Sequence, residues 1–524
     1  MQQFIARFKD QIQGTLSGFD RVVLRGSLRR LTHPQGMKMY LIQNRILCKD
    51  YLDHVRKVSQ DIKDSSLAAF RQRQLPILHV SSPKANKEEI ALAFASERNI
   101  REGDVCALTA MELTPTFQHD KTSMAVRYRP TLVIYHYRID AEFGWMNARI
   151  QTWFPFYIHL CLNGREWLAR RMDREGLKYC RQDNCFVEVE NLSQAQSYLD
   201  EQLQTRWTER LQPVADRLNP IHSQVFSRFD ASYYWSSVQC EWATDVLFQP
   251  GALQRLEPLL LRHGLLNFSS PDVLRFWGRK IGVTGPGLDR FPAEITTSLK
   301  ARVTGERLKH WTQGNSLKLY GKAHTPVGDV LRVETMTSNV DVFRTYRPAE
   351  GGAEDKLAWR RMRRGVADLH RRAEISQKTN ERYLNGFATV DDATRFAELM
   401  EPLEQRQTYR NRRVRALRPF ESEDHRLLKT VQRGEFAIHG LRNRDLQKLL
   451  YPPIQAASPE AEEREKKRRS AAVGRKLRLL RAHGIIQKVP KTHRYQVTDK
   501  GRLAISAILT MHQTSMTTLN RFAA

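Results

Sequence analysis

Between residues 423 and 509 the apolar positions fall into three helical repeats followed by two short alternating runs. DHRLLKTVQRG is amphipathic, and Gly434 is expected to stop it. FAIHGLRNRDLQKLL gives a turn and a second helix, with Asn443 as the expected N-cap and Asp445 in the first turn. In SAAVGRKLRLLRAHG, Val473, Leu477 and Leu480 recur on one helical face and Gly484 closes the segment. IIQKVPKTHRYQVTDKG then reads as strand, basic turn, strand.

Upstream the periodicity is mixed. PILHV, CALTAM, PTLVIYHYRI and ARIQTWFPFYIHL are rich in β-branched and aromatic residues, with partial alternation. The span 161–247 is mainly helical, with Asn191 and Ser193 as candidate caps and a hairpin at YCRQDNCFVEV. ARVTGERLKHW, SLKLYGK and VLRVET predict three adjacent antiparallel strands. KLAWRRMRRGVADLHRRAEISQKTNERYL predicts a basic helix with Trp359, Met362, Val366 and Leu369 on its apolar face. The expected fold class is therefore α+β: a mixed or antiparallel sheet in the N-terminal and central regions, a basic helical linker, and a C-terminal helix-turn-helix with a hairpin. The expected boundaries are 1–247, 248–350, 351–420 and 421–524.

The order helix, helix-turn-helix, hairpin resembles the winged-helix (MarR-like) domains of bacterial DNA-binding regulators. That resemblance implies that Arg475, Lys476 and Arg478 of the third helix face the major groove. It also implies that Lys488, Lys491 and Arg494 on the wing touch phosphate or the minor groove.

Charge extends the same expectation along the chain. With 85 Lys and Arg against 57 Asp and Glu, the net charge of +28 favours a polyanionic partner, DNA first and RNA as an alternative. Arg360, Arg361, Arg363, Arg364, Arg371 and Arg372, then Arg412, Arg413 and Arg415, are expected to contact a nucleic-acid backbone. No apolar run approaches the roughly 18 residues of a spanning helix, so no membrane partner is expected. The six scattered cysteines lack any CxxC pair, which fits a cytoplasmic protein and gives no reason to expect zinc. No Walker-type or GxGxxG loop follows a strand, so no nucleotide cofactor is expected.

The alternation of SLKLYGK and VLRVET places Tyr320 among Lys318, Lys322, Arg332 and Glu334 if the two faces coincide. A strand ending Tyr-x-Lys followed by one with Arg-x-Glu resembles a motif of rolling-circle replication initiators and single-strand nickases. That resemblance implies Tyr320 as nucleophile on a DNA phosphate, with Lys322, Arg332 and Glu334 as catalytic partners and Mg²⁺ or Mn²⁺ as cofactor. Glu334 would be a metal ligand, and Asp140 and Glu142, two apart between strands, form a second candidate carboxylate pair whose other reading is a solvated turn. The family's His-hydrophobic-His motif is absent from this sequence. Two functions are thus expected in competition. One is a mobile-element or replicon DNA-processing factor that nicks or transfers strands through a tyrosine; the other is a non-enzymatic winged-helix regulator or nucleic-acid-binding protein.

Overall fold

The computed structural model describes all residues except 121–122, 280–293, 303–304, 350–355, 389, 391–395, 434–435, 437–439, 455–457, 491 and 516–524. Lys491 and Gly434, to which the sequence assigned a wing contact and a helix stop, lie outside the described residues. The chain is mixed α+β and divides into two compact units. One comprises 11–253 and 313–380; the other comprises 1–10, 254–312 and 381–524. The division differs from the four consecutive segments expected, because strands distant in sequence close one sheet. Among the described residues, no helix is long and apolar enough to cross a membrane.

In chain order the first strands are β1 (Ile12–Leu28), β2 (Ile77–His79), β3 (Gly103–Asp120), β4 (Ser123–Asp140) and β5 (Gly144–Gln151). They are followed by β6 (Ile158–Asn163), β7 (Tyr179–Gln182), β8 (Cys185–Val189) and β9 (Tyr233–Phe248). The hairpin β10 (Thr296–Arg302) and β11 (Gly305–Thr312) belongs to the second unit. Next come β12 (Asn315–His324), β13 (Asp329–Thr337), β14 (Arg344–Arg347) and β15 (Ala358–Arg361). Within the first unit the sheet runs β12-β13-β9-β1-β6-β5-β4-β3-β2, antiparallel except for the parallel β2/β3 pair.

Strand β1 organises this sheet. From Val22 to Leu28 its residues alternate between buried and half-buried, as a strand with one face on a core requires. Two glycines allow helices to close over it. A Cβ on Gly18 would lie 2.8 Å from Leu199 of the helix Leu192–Gln202, and one on Gly164 would lie 2.1 Å from the carbonyl oxygen of Phe19. Asn191 caps the first of these helices by accepting from the Gln194 amide at 3.0 Å, as expected, whereas Ser193 lies inside the helix. Asn163 caps the helix Gly164–Glu175 by accepting from the amides of Arg165 and Glu166. The core beneath holds Phe19, Phe154, Phe156, Tyr40, Trp235 and Trp242 with the helix Tyr51–Gln72.

The segment expected as one basic helix from Lys356 onward begins differently. Residues 358–361 form β15, which pairs with β14, and the helix starts only at Leu369. Gly365 and the buried Val366 and Asp368 form the corner between them.

In the second unit, helices Ser422–Val431, Asn443–Leu450 and Pro459–Ala482 precede a hairpin of β18 (Ile486–Lys488) and β19 (Tyr495–Val497), and a last helix, Asp499–Gln513, follows. A shorter hairpin, β16 (Gln407–Tyr409) with β17 (Arg412–Val414), comes before them. Leu427, Leu446, Val473, Leu477, Leu480 and Ile505 share one core. The N-cap of the second helix is Arg442 rather than Asn443; Asp445 accepts from the Arg442 amide at 2.9 Å, and Asn443 instead donates to the Ser470 carbonyl. AEEREKKRRS is helical and carries Glu462–Lys466, Glu463–Lys467 and Glu465–Arg469 pairs at i,i+4.

Candidate functional site

Charged residues are concentrated where β12, β13, β9 and β1 lie side by side. Arg332 on β13 is paired in register with Asp245 on β9, and Tyr320 on β12 with Arg332. Opposite Glu241, β1 is irregular: Phe19 pairs with Trp242 and Arg21 with Glu241, which leaves Asp20 as the extra residue of a bulge. A bulge re-aims a side chain, and here Asp20 meets Arg332.

The resulting contacts are short and closed. The Arg332 guanidinium donates to both oxygens of Asp245, at 2.6 and 2.9 Å, to Asp20 Oδ1 at 3.0 Å and to the Asn184 carbonyl at 2.8 Å. Arg165, at the start of its helix, reaches Asp245 at 3.1 Å and donates to the Ala243 carbonyl at 3.0 Å. Asn184, in the β7–β8 turn, donates to Asp20 at 2.7 Å. Arg165, Arg332 and Asp245 are each buried to within 1% of complete. Two cations thus neutralise two carboxylates in a region where an unpaired charge would cost several kcal/mol. Burial alone would push Asp245 up, but Arg332 and Arg165 outweigh it and hold the carboxyl below its usual range. The Arg332 guanidinium is correspondingly held well above its ordinary value.

A second chain of contacts runs toward the surface. Tyr320 Oη donates to Glu334 Oε2 at 2.8 Å, Lys318 bridges to the other oxygen of Glu334, and Glu241 lies 3.9 Å from Lys318 and 3.0 Å from Arg21. Burial would raise Glu334, and Lys318 brings it down below the usual carboxylate range. The close grouping of Tyr320, Lys318, Arg332 and Glu334 follows the alternation read from the sequence. Lys322 falls at a register shift of β12 between Gly321 and Ala323.

The chemistry open to these residues differs from a cation-activated phenolate. Tyr320 is 5% exposed, and burial, with Glu334 beside it, pushes its hydroxyl well above the ordinary phenol value. The phenol is a proton donor locked onto a carboxylate. Glu334 in turn is occupied by a lysine and a tyrosine, and Asp20 and Asp245 by arginine.

Asp140 and Glu142 do not join this group. Asp140 accepts from the amides of Glu142 and Phe143, and Glu142 accepts from the Trp167 indole and bridges to Arg210. They sit at the β4–β5 turn, five strand positions from β13. At about 4.8 Å per strand that is roughly 20 Å or more from Glu334, too far to share one ion. Both are half-buried and bind neighbouring protein donors at the turn. Among the described residues, no group of three or more His, Cys, Asp or Glu is placed to hold a metal ion.

The basic residues separate into locked and open sets. Asp368, fully buried, accepts from Arg363 at 3.0 Å and Arg371 at 2.7 Å. Arg372 is buried and donates to the Arg364 carbonyl, and Arg364 pairs with Asp341. Arg415 makes two 2.7 Å bonds to Asp424, and Lys476 bridges to Glu423. Arg363, Arg371 and Arg372 are thus held by buried partners, whereas Arg364, Arg415 and Lys476 are ion-paired nearer the surface, which sequence order does not display. Arg360, Arg361, Arg412, Arg413, Arg475, Arg478 and Lys488 are exposed, without an ion pair among the described residues. Arg494 is half-buried, and burial together with Arg442 and Arg444 lowers its affinity for its proton.

Sequence reasoning missed Asp245, Arg165 and Asp368. A charge inside the apolar run WATDVLF is a signal that could have flagged Asp245; its partners are remote in sequence and leave none.

No protein-family model matches the chain, and no curated protein matches it. Among solved structures it is similar to a di-domain ARO/CYC protein, BexL, from the BE-7585A biosynthetic pathway. The identity is 11% over 54% of this chain and 89% of that one, with a TM-score of 0.16, too low to carry an argument about fold or activity.

Proposed function

We propose that the protein binds DNA and that its C-terminal region is a winged helix, with the helix Pro459–Ala482 as the element that enters the major groove. The observation that carries this is the division of that helix into two faces. Val473, Leu477 and Leu480 are buried in the core, while Arg475 and Arg478 are exposed without an ion pair among the described residues. Arginines so placed can reach guanine edges in pairs of hydrogen bonds. The hairpin beside it supports the same reading. Leu441, before the second helix, exchanges both backbone hydrogen bonds with Tyr495, at 2.8 and 2.9 Å, which ties the β18/β19 hairpin to the helical core. Lys488 is exposed on that hairpin, and Arg442, Arg444 and Arg494 lie near one another with Asp445 among them.

Strand transfer through Tyr320 is not part of this reading, because the hydroxyl is buried and bonded to Glu334. Binding in which the large sheet unit acts as a scaffold fits the closed ion network better. The test is selection of duplex sequences from a random pool, followed by anisotropy titration. The wild-type chain is expected to enrich a motif, and the double substitution Arg475→Glu with Arg478→Glu to erase that preference, at about 1–3 kcal/mol per arginine. Unchanged selectivity in the double variant would show that this helix only packs.

A further inference from the structure

The ribbon of β14 and β15 has two unlike faces. Its register pairs Arg344 with Arg361, Thr345 with Arg360, Tyr346 with Trp359 and Arg347 with Ala358. Directly opposed residues and those two apart share a face, so Arg344, Tyr346, Trp359 and Arg361 form one side. All four are exposed, Tyr346 at 55% and Trp359 at 67%. Their two rings lie together, with centroids 5.7 Å apart.

The other side is anchored through β14: Thr345 and Arg347 are buried, while Arg360 opposite Thr345 stays exposed, and Arg347 donates to the Arg361 carbonyl at 2.8 Å and to the Pro348 carbonyl at 2.9 Å, with Asp368 3.6 Å from its Nε. Met362 continues the ladder by donating to the Phe343 carbonyl at 3.1 Å. The ribbon is thus held from behind while its front stays bare.

The front face is unfavourable as it stands. Two arginines directly opposed across a ribbon repel, and two large rings side by side in water leave apolar area unburied. Neither Arg344 nor Arg361 has an ion pair among the described residues. A ligand that relieves both terms must be anionic and must offer flat π faces at a spacing of a few ångströms. Single-stranded nucleic acid does so, with phosphates for the guanidiniums and unstacked bases for the rings. Duplex offers its bases only at their edges, and a plain anion leaves the rings uncovered.

We propose that the outer face of the β14/β15 ribbon is a stacking platform for single-stranded DNA, with Tyr346 and Trp359 against bases and Arg344 and Arg361 on the flanking phosphates. The choice of DNA over RNA rests on the reading of the chain as a DNA-binding protein. The platform is distinct from the helix that reads duplex.

The test is anisotropy titration of the full chain with an oligothymidylate of about 16 nucleotides, an abasic strand of equal length, oligouridylate, and duplex. Trp359→Ala and Tyr346→Ala are expected to weaken oligothymidylate binding by at least about fivefold each, to leave the abasic strand unaffected, and to be partly rescued by Trp359→Phe. Arg344→Ala with Arg361→Ala should reduce the slope of log affinity against log salt by about 1.4 on either strand. All four positions are exposed, and an unchanged melting temperature checks that each variant is folded. The platform is overturned if the ring variants bind oligothymidylate as the wild type does, or lose the abasic strand equally. A preference for oligouridylate overturns the assignment to DNA. Selective duplex binding that persists while the ring variants show no loss removes the platform alone; a ring effect that persists when Arg475→Glu with Arg478→Glu keeps duplex selectivity removes the winged-helix reading alone.

Discussion

Replacing Arg332 with methionine is the most direct probe of the charge network. The side chain is fully buried and makes three charge-assisted bonds to two carboxylates and one bond to a carbonyl. In the wild type, Arg165 and Arg332 balance Asp20 and Asp245; without Arg332 one carboxylate charge is left over in a dehydrated site. Removing one partner of a buried pair costs about 3–5 kcal/mol, much of it from the charge left behind. Because the chain has two units, a single unfolding free energy is poorly defined, and hydrogen exchange of peptides covering β9 and β13 is the suitable assay. At about 1.4 kcal/mol per decade, exchange there should accelerate by roughly two to four orders of magnitude at pH 7. The pH dependence adds a second check. Asp245 is depressed in the wild type, so its contribution is present above the unfolded carboxylate range and lost as the pH falls through its folded value. In the variant the same carboxyl lacks its main cation and rises, so it takes up a proton on mild acidification and the deficit against wild type shrinks. Adding Asp245→Asn should restore balance between Arg165 and Asp20, leaving the double variant about 1–3 kcal/mol more stable than the sum of the singles. A loss below about 1 kcal/mol at pH 7, or strict additivity, would refute the assignment of these four residues to one coupled network.

Other outcomes follow from neighbouring contacts. Tyr320→Phe removes one hydrogen bond to Glu334 and should cost about 1 kcal/mol while leaving DNA binding intact; a covalent DNA adduct formed by the wild type with Mg²⁺ and lost in this variant would reverse the reading of Tyr320 as a locked donor. His136 bonds to Ser66 inside the core, and burial lowers its pKa from 6.5 to about 3. The unfolded chain therefore takes that proton first, so stability is whole at pH 7 and falls below about 6.5, by about 2 kcal/mol at pH 5. His136→Phe should flatten the protection of β4 amides, taken relative to their intrinsic exchange, between those two pH values, and an unchanged pH dependence would sink the idea. Gly164→Ala sets a Cβ 2.1 Å from the Phe19 carbonyl and pushes away the helix that carries Arg165. A loss of about 1–3 kcal/mol, read as faster hydrogen exchange of peptides covering Gly164–Glu175, is expected, and none if the helix can shift freely.

Local pattern and tertiary structure divided the problem unevenly. Period-2 alternation made β12 and β13 legible and brought Tyr320, Lys318, Arg332 and Glu334 together on paper, because the side chains of a strand alternate by geometry. The 3.6-residue repeat likewise exposed the helices around Leu427, Leu446 and Leu477, and Asn191 could be recognised as a cap from its short polar side chain. The same rules mistook β15 for the start of a helix. Pairing with β14 buries Thr345 and Arg347, and that gain is invisible in the basic run itself.

Composition and periodicity suffice for a strongly basic α+β chain with a helical, hairpin-tipped C-terminal region. Which charges face a partner depends on contacts made across the fold. Asp245 meets Arg332 across 87 positions and Asp20 meets it across 312, while Asp368 gathers arginines that read as a phosphate-binding run. Burial and ion pairing depend on distance in space, which sequence separation does not report. A list of arginines shows how much charge the chain carries, and the fold determines whether a carboxylate or the solvent faces each one.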